Sequence, residues 1–255
     1  AGVRGERIMR DALAGDPLAF QPRPDFPGET ITSVNPKLAA SVLIAGVPAT
    51  ARAWTRLRGS VGSGIRPPDA FEIAFTDNSG LKPERSKSGE IGVTQALATG
   101  AIQLDATGFI NNYSDMIIAV GRSFSGVSRW RTDNISNARA RGAELGLAWR
   151  INALVDVRAH YTFLDSEILA VNGSTVAQTP YRVGDALLRR PRHSGSIDAT
   201  VTHRAVSAFA QLHLRGETLD AEPAFGPSGG LYTNPAYSVF NIGGSWRVVR
   251  QVEIF

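Results

Sequence analysis

The chain of 255 residues contains no cysteine, which excludes disulfide bridges and thiolate metal sites. It also lacks any run of about eighteen apolar residues, so a membrane-spanning helix is excluded. A membrane barrel is not excluded, because its strands carry their signal as alternation. Glycine-rich phosphate motifs are missing as well, since Gly62-Ser63-Gly64 has no third glycine and no following helix. Neither heptads nor a longer repeat is present, and 26 glycines favour a turn-rich β protein.

Charge and histidine placement exclude several functions. The net charge of +4 comes from arginines scattered along the chain, and this scatter argues against a nucleic-acid partner. His203 and His213 are predicted on opposite faces of one hairpin, and His160 and His193 on other strands, so no metal site is expected. No set of serine, histidine and aspartate is expected at adjacent positions on the inward, polar face of the strands, which argues against a hydrolase. We therefore predict no catalytic residues, no metal ligands and no cofactor.

Period-two alternation predicts about ten strands with one apolar face. The hairpin at Arg204-Ala205 tests the register, because a two-residue turn pairs His203 with Val206 and fixes every later pair. Ile197 then lies opposite Leu212 on an apolar face, while Ser196 lies opposite His213 on a polar face. The strands are expected near residues 36–44, 50–63, 87–97, 101–120, 129–150, 154–166, 192–203, 206–217, 237–247 and from 251 onward.

Short and long connections alternate strictly between these strands. Tight joints fall at residues 98–100, 151–153, 204–205 and 248–250, and long stretches fall around residues 64–86, 167–191 and 218–236. A membrane barrel has this asymmetry, because one rim carries short turns and the other carries extended loops. A soluble antiparallel sheet with one wet face would show the same alternation along its strands.

The positions of the aromatic residues favour a membrane barrel over a soluble sheet. Trp149 and Trp246 lie on the apolar face just before short turns, while Tyr161 and Phe163 lie near the long-loop end. This placement is typical of the two aromatic girdles of a membrane barrel. Trp54 shares its parity with two arginines, and arginine at the lipid midplane costs about 2–4 kcal/mol, so Trp54 is expected to face the lumen.

Five motifs occur in a fixed order. They are Arg66-Pro67 within residues 62–72; Leu81-Lys82-Pro83-Glu84 with Glu90; Gly142 and Glu144 after Asn134; Tyr161 to Ser166; and Arg190-Pro191 with His193. Together they resemble the C-terminal half of a TonB-dependent outer-membrane receptor. Ile65 replaces the usual aromatic residue, Pro67 doubles the proline, and Gly89 stands where tryptophan is common. The motifs are expected to be structural, with Glu90 pointing into the lumen.

The resemblance implies an all-β, antiparallel transmembrane β-barrel in the Gram-negative outer membrane, of which residues 1–255 form about ten of about 22 strands. The plug domain, the other strands and the segment that contacts the TonB-type energy complex are expected outside this sequence. The implied function is energised uptake of a scarce nutrient, with an iron–siderophore complex as cargo. Cobalamin or an oligosaccharide is the alternative cargo, and a passive porin, an adhesin-type barrel or a soluble β-sandwich is the alternative protein.

Aromatic and cationic loop residues are candidates for the ligand site, since stacking and arginine suit an anionic, aromatic cargo. These candidates are Phe71, Phe75, Arg122, Phe124, Arg129, Trp130, Arg131, Tyr181, Arg182, Phe225 and Tyr232. Arg189, Arg190 and Arg192 end a long loop, where they could bind lipopolysaccharide phosphates or grip an anionic ligand. Outer-membrane lipid and lipopolysaccharide are the expected surroundings.

Overall fold

A computed structural model describes residues 1–15, 24–47, 51–74, 78–124, 127–171, 182–221, 231–249 and 252–254. Phe75, Tyr181 and Phe225 lie outside these ranges. For residues 119–124, 127–133, 135–136 and 221 the description is limited to the backbone, so the side chains of Arg122, Phe124, Arg129, Trp130 and Arg131 also lie outside it.

The fold is built almost entirely from strands. One short helix, α1, spans Ala70–Ala74, and one 3-10 turn spans Ala98–Gly100, where Thr99 has a φ of 58°. The strands are β1 (Gly2–Arg10), β2 (Glu29–Ala45), β3 (Trp54–Arg66), β4 (Glu84–Leu97), β5 (Ile102–Phe124), β6 (Val127–Arg150), β7 (Val155–Val171), β8 (His193–His203), β9 (Val206–Arg215), β10 (Thr218–Ala221), β11 (Leu231–Asn234), β12 (Tyr237–Val249) and β13 (Val252–Ile254).

In the described ranges, eleven strands form one antiparallel sheet in the order β1-β2-β3-β4-β5-β6-β7-β8-β9-β12-β13, and β10 pairs with β11 separately. Within the described part of the chain, β1 and β13 each have one neighbour, so the sheet does not close on itself. Neighbours in the sheet are neighbours in sequence except where the β10–β11 hairpin intervenes. The connections after β4, β6, β8 and β12 have two to four residues and lie at one end of the sheet, the turn end. The connections after β1, β3, β7 and β9 are long and lie at the other end, the loop end. The predicted strict alternation was wrong at one place, because only residues 125–126 join β5 to β6 at the loop end.

The structure confirms the antiparallel all-β fold and the register of the β8–β9 hairpin. His203 pairs with Val206, Ile197 with Leu212 and Ser196 with His213, as the two-residue turn predicted. The sheet therefore turns at Arg204-Ala205 without a bulge, and the apolar and polar faces separate as expected.

Several strand predictions were wrong in extent. β1 was missed, and β2 begins at Glu29 rather than near residue 36. Arg4, Glu6 and Arg10 occupy one face of β1 and Gly5 lies on the other, so its alternation is weak. β5, β6 and β7 also run further toward the loop end than predicted, and the hairpin β10–β11 lies inside a stretch that was read as loop.

Large apolar side chains on one face of the sheet are exposed. Ile242 is 76% exposed and Ile91 is 69% exposed, although both lie in the middle of long strands. The small buried cluster of Ala138, Ile168 and Leu187 lies elsewhere, near the loop end. No second layer covers the apolar face among the described residues, which is the condition that a lipid-facing surface requires. No helix in that part of the chain is both long and apolar enough to cross a membrane.

Candidate functional site

Register pairing assigns each strand residue to an outward or an inward face. One outward row joins Leu104, Leu147, Ala159, Ile197, Leu212 and Phe240 across β5 to β12. The adjacent inward row joins Asp105, Gly146, His160, Ser196 and His213. The sheet therefore has an apolar outward belt and a polar inward wall, which is the division a membrane barrel needs.

The four predicted girdle residues all lie on the outward face. Trp149 and Trp246, which are 41% and 54% exposed, lie at the turn end, and Tyr161 and Phe163 lie closer to the loop end. Tyr161 Oη lies 2.7 Å from His193 Nδ1, and the Phe163 and His193 ring centroids are 5.5 Å apart. The girdle role of these side chains stays a prediction.

A hydrogen-bond network on the inward wall joins β3, β4 and β5. Arg58 donates to Thr94 Oγ1 at 2.7 Å, to Asp105 Oδ1 at 3.2 Å and to Thr107 Oγ1 at 2.6 Å. Gln103 donates to the other Asp105 oxygen at 2.9 Å. Because these groups satisfy one another, the charged pair can lie half-buried on the wall without an orphaned polar atom.

Gly92 makes room for the Arg58 side chain. A Cβ at Gly92 would lie 3.1 Å from Arg58 Cζ and 2.9 Å from Thr107 Oγ1. Trp54 lies on the same inward face, where the Arg56 guanidinium carbon is 5.5 Å from its ring centroid. The register thus confirms that Trp54 shares the face of the two arginines.

Arg66 fastens the connection between β3 and β4. Its guanidinium donates to Glu84 Oε2 at 2.7 Å and to both Glu72 carboxylate oxygens, at 2.8 Å and 3.0 Å. Glu72 and Asp69 also form a reciprocal capping box at the start of α1, with bonds of 2.8 Å and 2.9 Å. Arg66 therefore ties the helix to the first residue of β4, while Pro67 begins the turn between them.

The Leu81-Lys82-Pro83-Glu84 segment is held by backbone and side-chain hydrogen bonds. Asn134 accepts from the Lys82 N–H at 2.7 Å and donates to the Lys82 carbonyl at 2.8 Å. Glu84 Oε1 accepts from the Ile117 N–H at 2.7 Å, and Leu81 is 1% exposed. These bonds join β4 to β5 and β6 at the loop end, and they support a structural role for the segment.

A polar hollow of about 450 Å³ lies on the inward wall beside these motifs. Glu90 and Glu144 both line it, and Ser60 donates to Glu90 at 2.9 Å. The Phe109 ring lies against Gly142, where a Cβ would come within 2.9 Å of Phe109 Cζ. The hollow thus combines two carboxylates with one aromatic ring.

The loop end carries a second layer built from two connections. Arg189 donates from Nε to both Asp220 carboxylate oxygens, at 3.0 Å and 3.2 Å, and its N–H donates to the Leu219 carbonyl. Leu187 packs with Ile168 and Ala138, and Leu231 of β11 packs against this cluster. The β7–β8 connection and the β10–β11 hairpin therefore form one packed unit.

The arginines of the β7–β8 connection have separate positions. Arg189 forms the ion pair with Asp220, whereas the exposed Arg190 precedes Pro191 at the entry to β8. The Arg192 guanidinium lies over the outward Phe163 ring, with its carbon 5.5 Å from the centroid. Arg189 and Arg192 are therefore not brought together as a grip on one ligand.

Three ligand candidates have described side chains, and they lie on three different connections at the loop end. Phe71 on α1 is 57% exposed, Tyr232 on β11 is 43% exposed, and Arg182 is exposed before β8. Their ligand role stays a prediction. Sequence reasoning missed the Arg58 network, the Asn134 bridge and the Arg189–Asp220 pair, since each needs partners from distant strands.

The prediction that no serine, histidine and aspartate lie at adjacent inward positions was wrong. Ser196 lies between His160 and His213 in the register, and Asp198 follows on the same face. The sequence register placed β8 against β9 but not against β7, so His160 was not located. Ser196 Oγ donates to Asp198 Oδ2 at 3.4 Å rather than to an imidazole, so neither histidine is placed to take the serine proton. Among the described residues, no three His, Asp or Glu form a metal-holding group.

A family model described as TonB dependent receptor-like, beta-barrel, matches residues 1–255. The chain belongs to the TonB-dependent receptor family. Barrels of this family lie in the Gram-negative outer membrane and serve transport rather than catalysis.

The sequence relatives match this chain over part of its length, and the solved structure is similar to it in fold at low sequence identity. The "Iron-regulated outer membrane virulence protein" of Vibrio cholerae is 26% identical over 212 residues, which are 74% of this chain and 30% of that protein. The "Vitamin B12 transporter BtuB" of Vibrio vulnificus is 33% identical over 88 residues, which are 34% of this chain and 14% of that protein. The solved "Copper transporter OprC" has a TM-score of 0.70 at 18% identity, covering 97% of this chain and 38% of that one. The chain thus spans about a third of the length of the iron-regulated relative and of the copper transporter.

Proposed function

We propose that the chain forms the C-terminal part of the barrel of an outer-membrane receptor that imports an iron–siderophore complex. The observation that carries the transport role is the match of the family model to the whole chain, residues 1–255. The outward belt and the polar inward wall support it, because a transport barrel must hold lipid outside and a hydrated path inside.

Iron–siderophore cargo is supported by the longer of the two sequence matches. The Vibrio cholerae relative, whose name links it to iron, aligns over 212 residues, against 88 for the vitamin B12 transporter. Iron–siderophore import is also the commonest role that the family resemblance implies. Exposed Phe71, Tyr232 and Arg182 at the loop end would contribute stacking and positive charge to the capture of such an anionic complex.

Transport would need parts of the protein outside residues 1–255. We propose a plug domain, further barrel strands and a segment that contacts the TonB-type energy complex as those parts, with outer-membrane lipid and lipopolysaccharide as the surroundings. Among the described residues, the outer edges of β1 and β13 have no partner strand, which is compatible with further strands on both sides of the sheet.

Uptake by the full-length receptor tests the proposal. A deletion strain that carries the receptor gene on a plasmid should accumulate ⁵⁵Fe-loaded siderophore, and a protonophore or loss of TonB should abolish this accumulation. Cobalamin labelled with ⁵⁷Co is the matched second cargo, because the vitamin B12 relative supports it as the alternative. Accumulation that persists without energy would indicate a passive pore, and receptor-dependent uptake of cobalamin alone would replace the iron cargo.

A further inference from the structure

The β10–β11 hairpin packs against strands that are not its neighbours in the sheet. β10 begins at Thr218, just after β9 ends at Arg215, yet Leu231 of β11 packs against the buried cluster that contains Ala138 and Ile168. These two residues lie at inward positions of β6 and β7, which are separated from β9 by β8. Strands lie about 4.8 Å apart, so the hairpin reaches roughly 10–14 Å sideways. It therefore lies across the inward side of the loop end rather than above its own strands.

The two faces of this hairpin have different surroundings. Leu231 and Tyr232 are consecutive on β11, so they lie on opposite faces. Leu231 packs against the buried cluster, while Tyr232 is 43% exposed. Asp220 is the register partner of Tyr232 and therefore lies on the same face, and its side chain is only 10% exposed. The hairpin thus presents Tyr232 to solvent beside a carboxylate that is bound by other parts of the loop end.

Arg189 binds that carboxylate from the β7–β8 connection. Its Nε donates to both Asp220 carboxylate oxygens, at 3.0 Å and 3.2 Å, and Asn234 Nδ2 donates to one of them at 3.3 Å. The main chain of Arg189 adds two bonds. Its N–H donates to the Leu219 carbonyl at 2.8 Å, and its carbonyl accepts from Arg215 Nη2 at 3.1 Å. The side chain, N–H and carbonyl of one residue therefore all bind the end of β9 and the hairpin.

The backbone of Arg189 is in the left-handed region, with a φ of 58°. A residue with a Cβ adopts this conformation only at a cost in free energy, and the surrounding contacts must compensate for it. Glycine would adopt it without that cost, so an arginine is expected here only if its side chain contributes. The contribution that the structure shows is the ion pair with Asp220. Strained residues of this kind are common where a protein holds a ligand-binding segment in place.

We propose that Arg189 is a positioning residue for cargo capture, a role that rests on the proposed function. It holds the β10–β11 hairpin across the inward side of the loop end, so that Tyr232 is preorganised to stack on an iron–siderophore complex. Arg189 does not itself bind the cargo. Preorganisation raises affinity, because the hairpin no longer has to be ordered when the cargo binds.

A direct contact between Arg189 and an anionic cargo would have the opposite signature. If Arg189 bound the anion, removing the charge of Asp220 would free its guanidinium and strengthen binding. If Arg189 positions the hairpin, the same change loosens the hairpin and weakens binding. For neutral cobalamin, a direct ionic contact predicts no change, and positioning again predicts weaker binding. The sign of the effect therefore separates the two roles.

Equilibrium binding to the full-length receptor in detergent tests the proposal, with ⁵⁵Fe-loaded enterobactin, an anionic tris-catecholate, and ⁵⁷Co-cobalamin as probes. For the probe that the wild type binds, Asp220→Asn should raise the Kd by about fivefold. Glu217→Gln removes the same charge from an exposed position just before β10 and should leave the Kd unchanged. Arg189→Gly should also raise the Kd, and adding Asp220→Asn to it should raise the Kd no further, because both changes remove one contact.

A distance measurement without cargo tests the position of the hairpin separately. Spin labels on cysteines introduced at Thr233 of β11 and Leu169 of β7, both exposed, should give one narrow distance distribution, which Asp220→Asn and Arg189→Gly should broaden. Unchanged or tighter probe binding by Asp220→Asn would overturn the proposal, as would an unchanged distance distribution. A wild-type receptor that binds neither probe removes the proposed function, and the label distances then decide whether Arg189 holds the hairpin.

Discussion

Trp149 on β6 and Trp246 on β12 are displaced by four residues in the register of the sheet. Following the pairs from Trp149 through Val157, Ala199 and Ala210 reaches Ile242, whereas the outward tryptophan of β12 lies four residues nearer the turn. If both rings mark one membrane interface, four residues over four strand spacings correspond to a strand tilt of about 35°. Membrane barrels have strands tilted by about that angle.

The depth of the two tryptophans follows from this relationship. We expect Trp149 and Trp246 to be quenched equally by lipids brominated near the head group, and weakly by lipids brominated near the chain end. Single-tryptophan variants of the full-length receptor in vesicles measure this directly. A depth difference of about 13 Å, which four residues would give without tilt, would contradict the assignment.

The Arg58–Asp105 contact should be energetically coupled. In a double-mutant cycle with Arg58→Gln and Asp105→Asn, we expect a coupling energy of about 1 kcal/mol, because both side chains are partly exposed and share Thr94. Urea unfolding of the full-length receptor in vesicles measures it. Arg150 and Asp156, exposed and 3.5 Å apart at the turn end, form the control pair, and a coupling as weak as theirs would contradict the network.

Gly142 should tolerate no side chain. A Cβ there would strike the Phe163 carbonyl oxygen and the Phe109 ring, so Gly142→Ala should lower the folded fraction by an amount equivalent to about 2 kcal/mol. Gly108, on the neighbouring strand, has its closest atom 3.9 Å away, so Gly108→Ala is the matched control. Heat-modifiability on gels reports the folded fraction, and equal values for both variants would count against this packing.

Arg66 should protect the connection between β3 and β4 from proteases. Arg66→Gln leaves Glu72 and Glu84 facing each other without their shared cation, so we expect faster cleavage within residues 67–83 of the full-length receptor in intact cells. Lys82→Gln changes an exposed side chain in the same connection and should have no such effect. Cleavage at the wild-type rate in Arg66→Gln would show that the clamp is dispensable.

The parts of the fold that local sequence patterns determine were predicted correctly. The two-residue turn at Arg204-Ala205 fixed the β8–β9 register, because a short hairpin leaves one pairing and alternation then sorts both faces. β1 was not predicted as a strand, because charged residues and a glycine weaken its alternation of polar and apolar residues.

The inward wall was harder to predict than the outward face. Arg58 reaches Asp105, and Asn134 reaches Lys82, across strands whose relative register depends on long connections. The pairing of Ser196 with His160 was missed for the same reason, because a long connection joins β7 to β8. The outward face can be predicted from the alternation within a single strand. Contacts on the inward wall can be predicted only if the register of every intervening strand is known.

The assignment of the apolar face to lipid is tested most directly by spin-label accessibility along β8. Single cysteines can be introduced at residues 194–201, because the 255 residues contain no native cysteine that would also react. In vesicles, we expect period-two alternation along β8. Oxygen accessibility should be highest at Gly195, Ile197, Ala199 and Val201, and accessibility to a water-soluble nickel complex should be highest at the residues between them. Nickel accessibility at Ile197 and Ala199, or no alternation along β8, would contradict a face in contact with hydrocarbon.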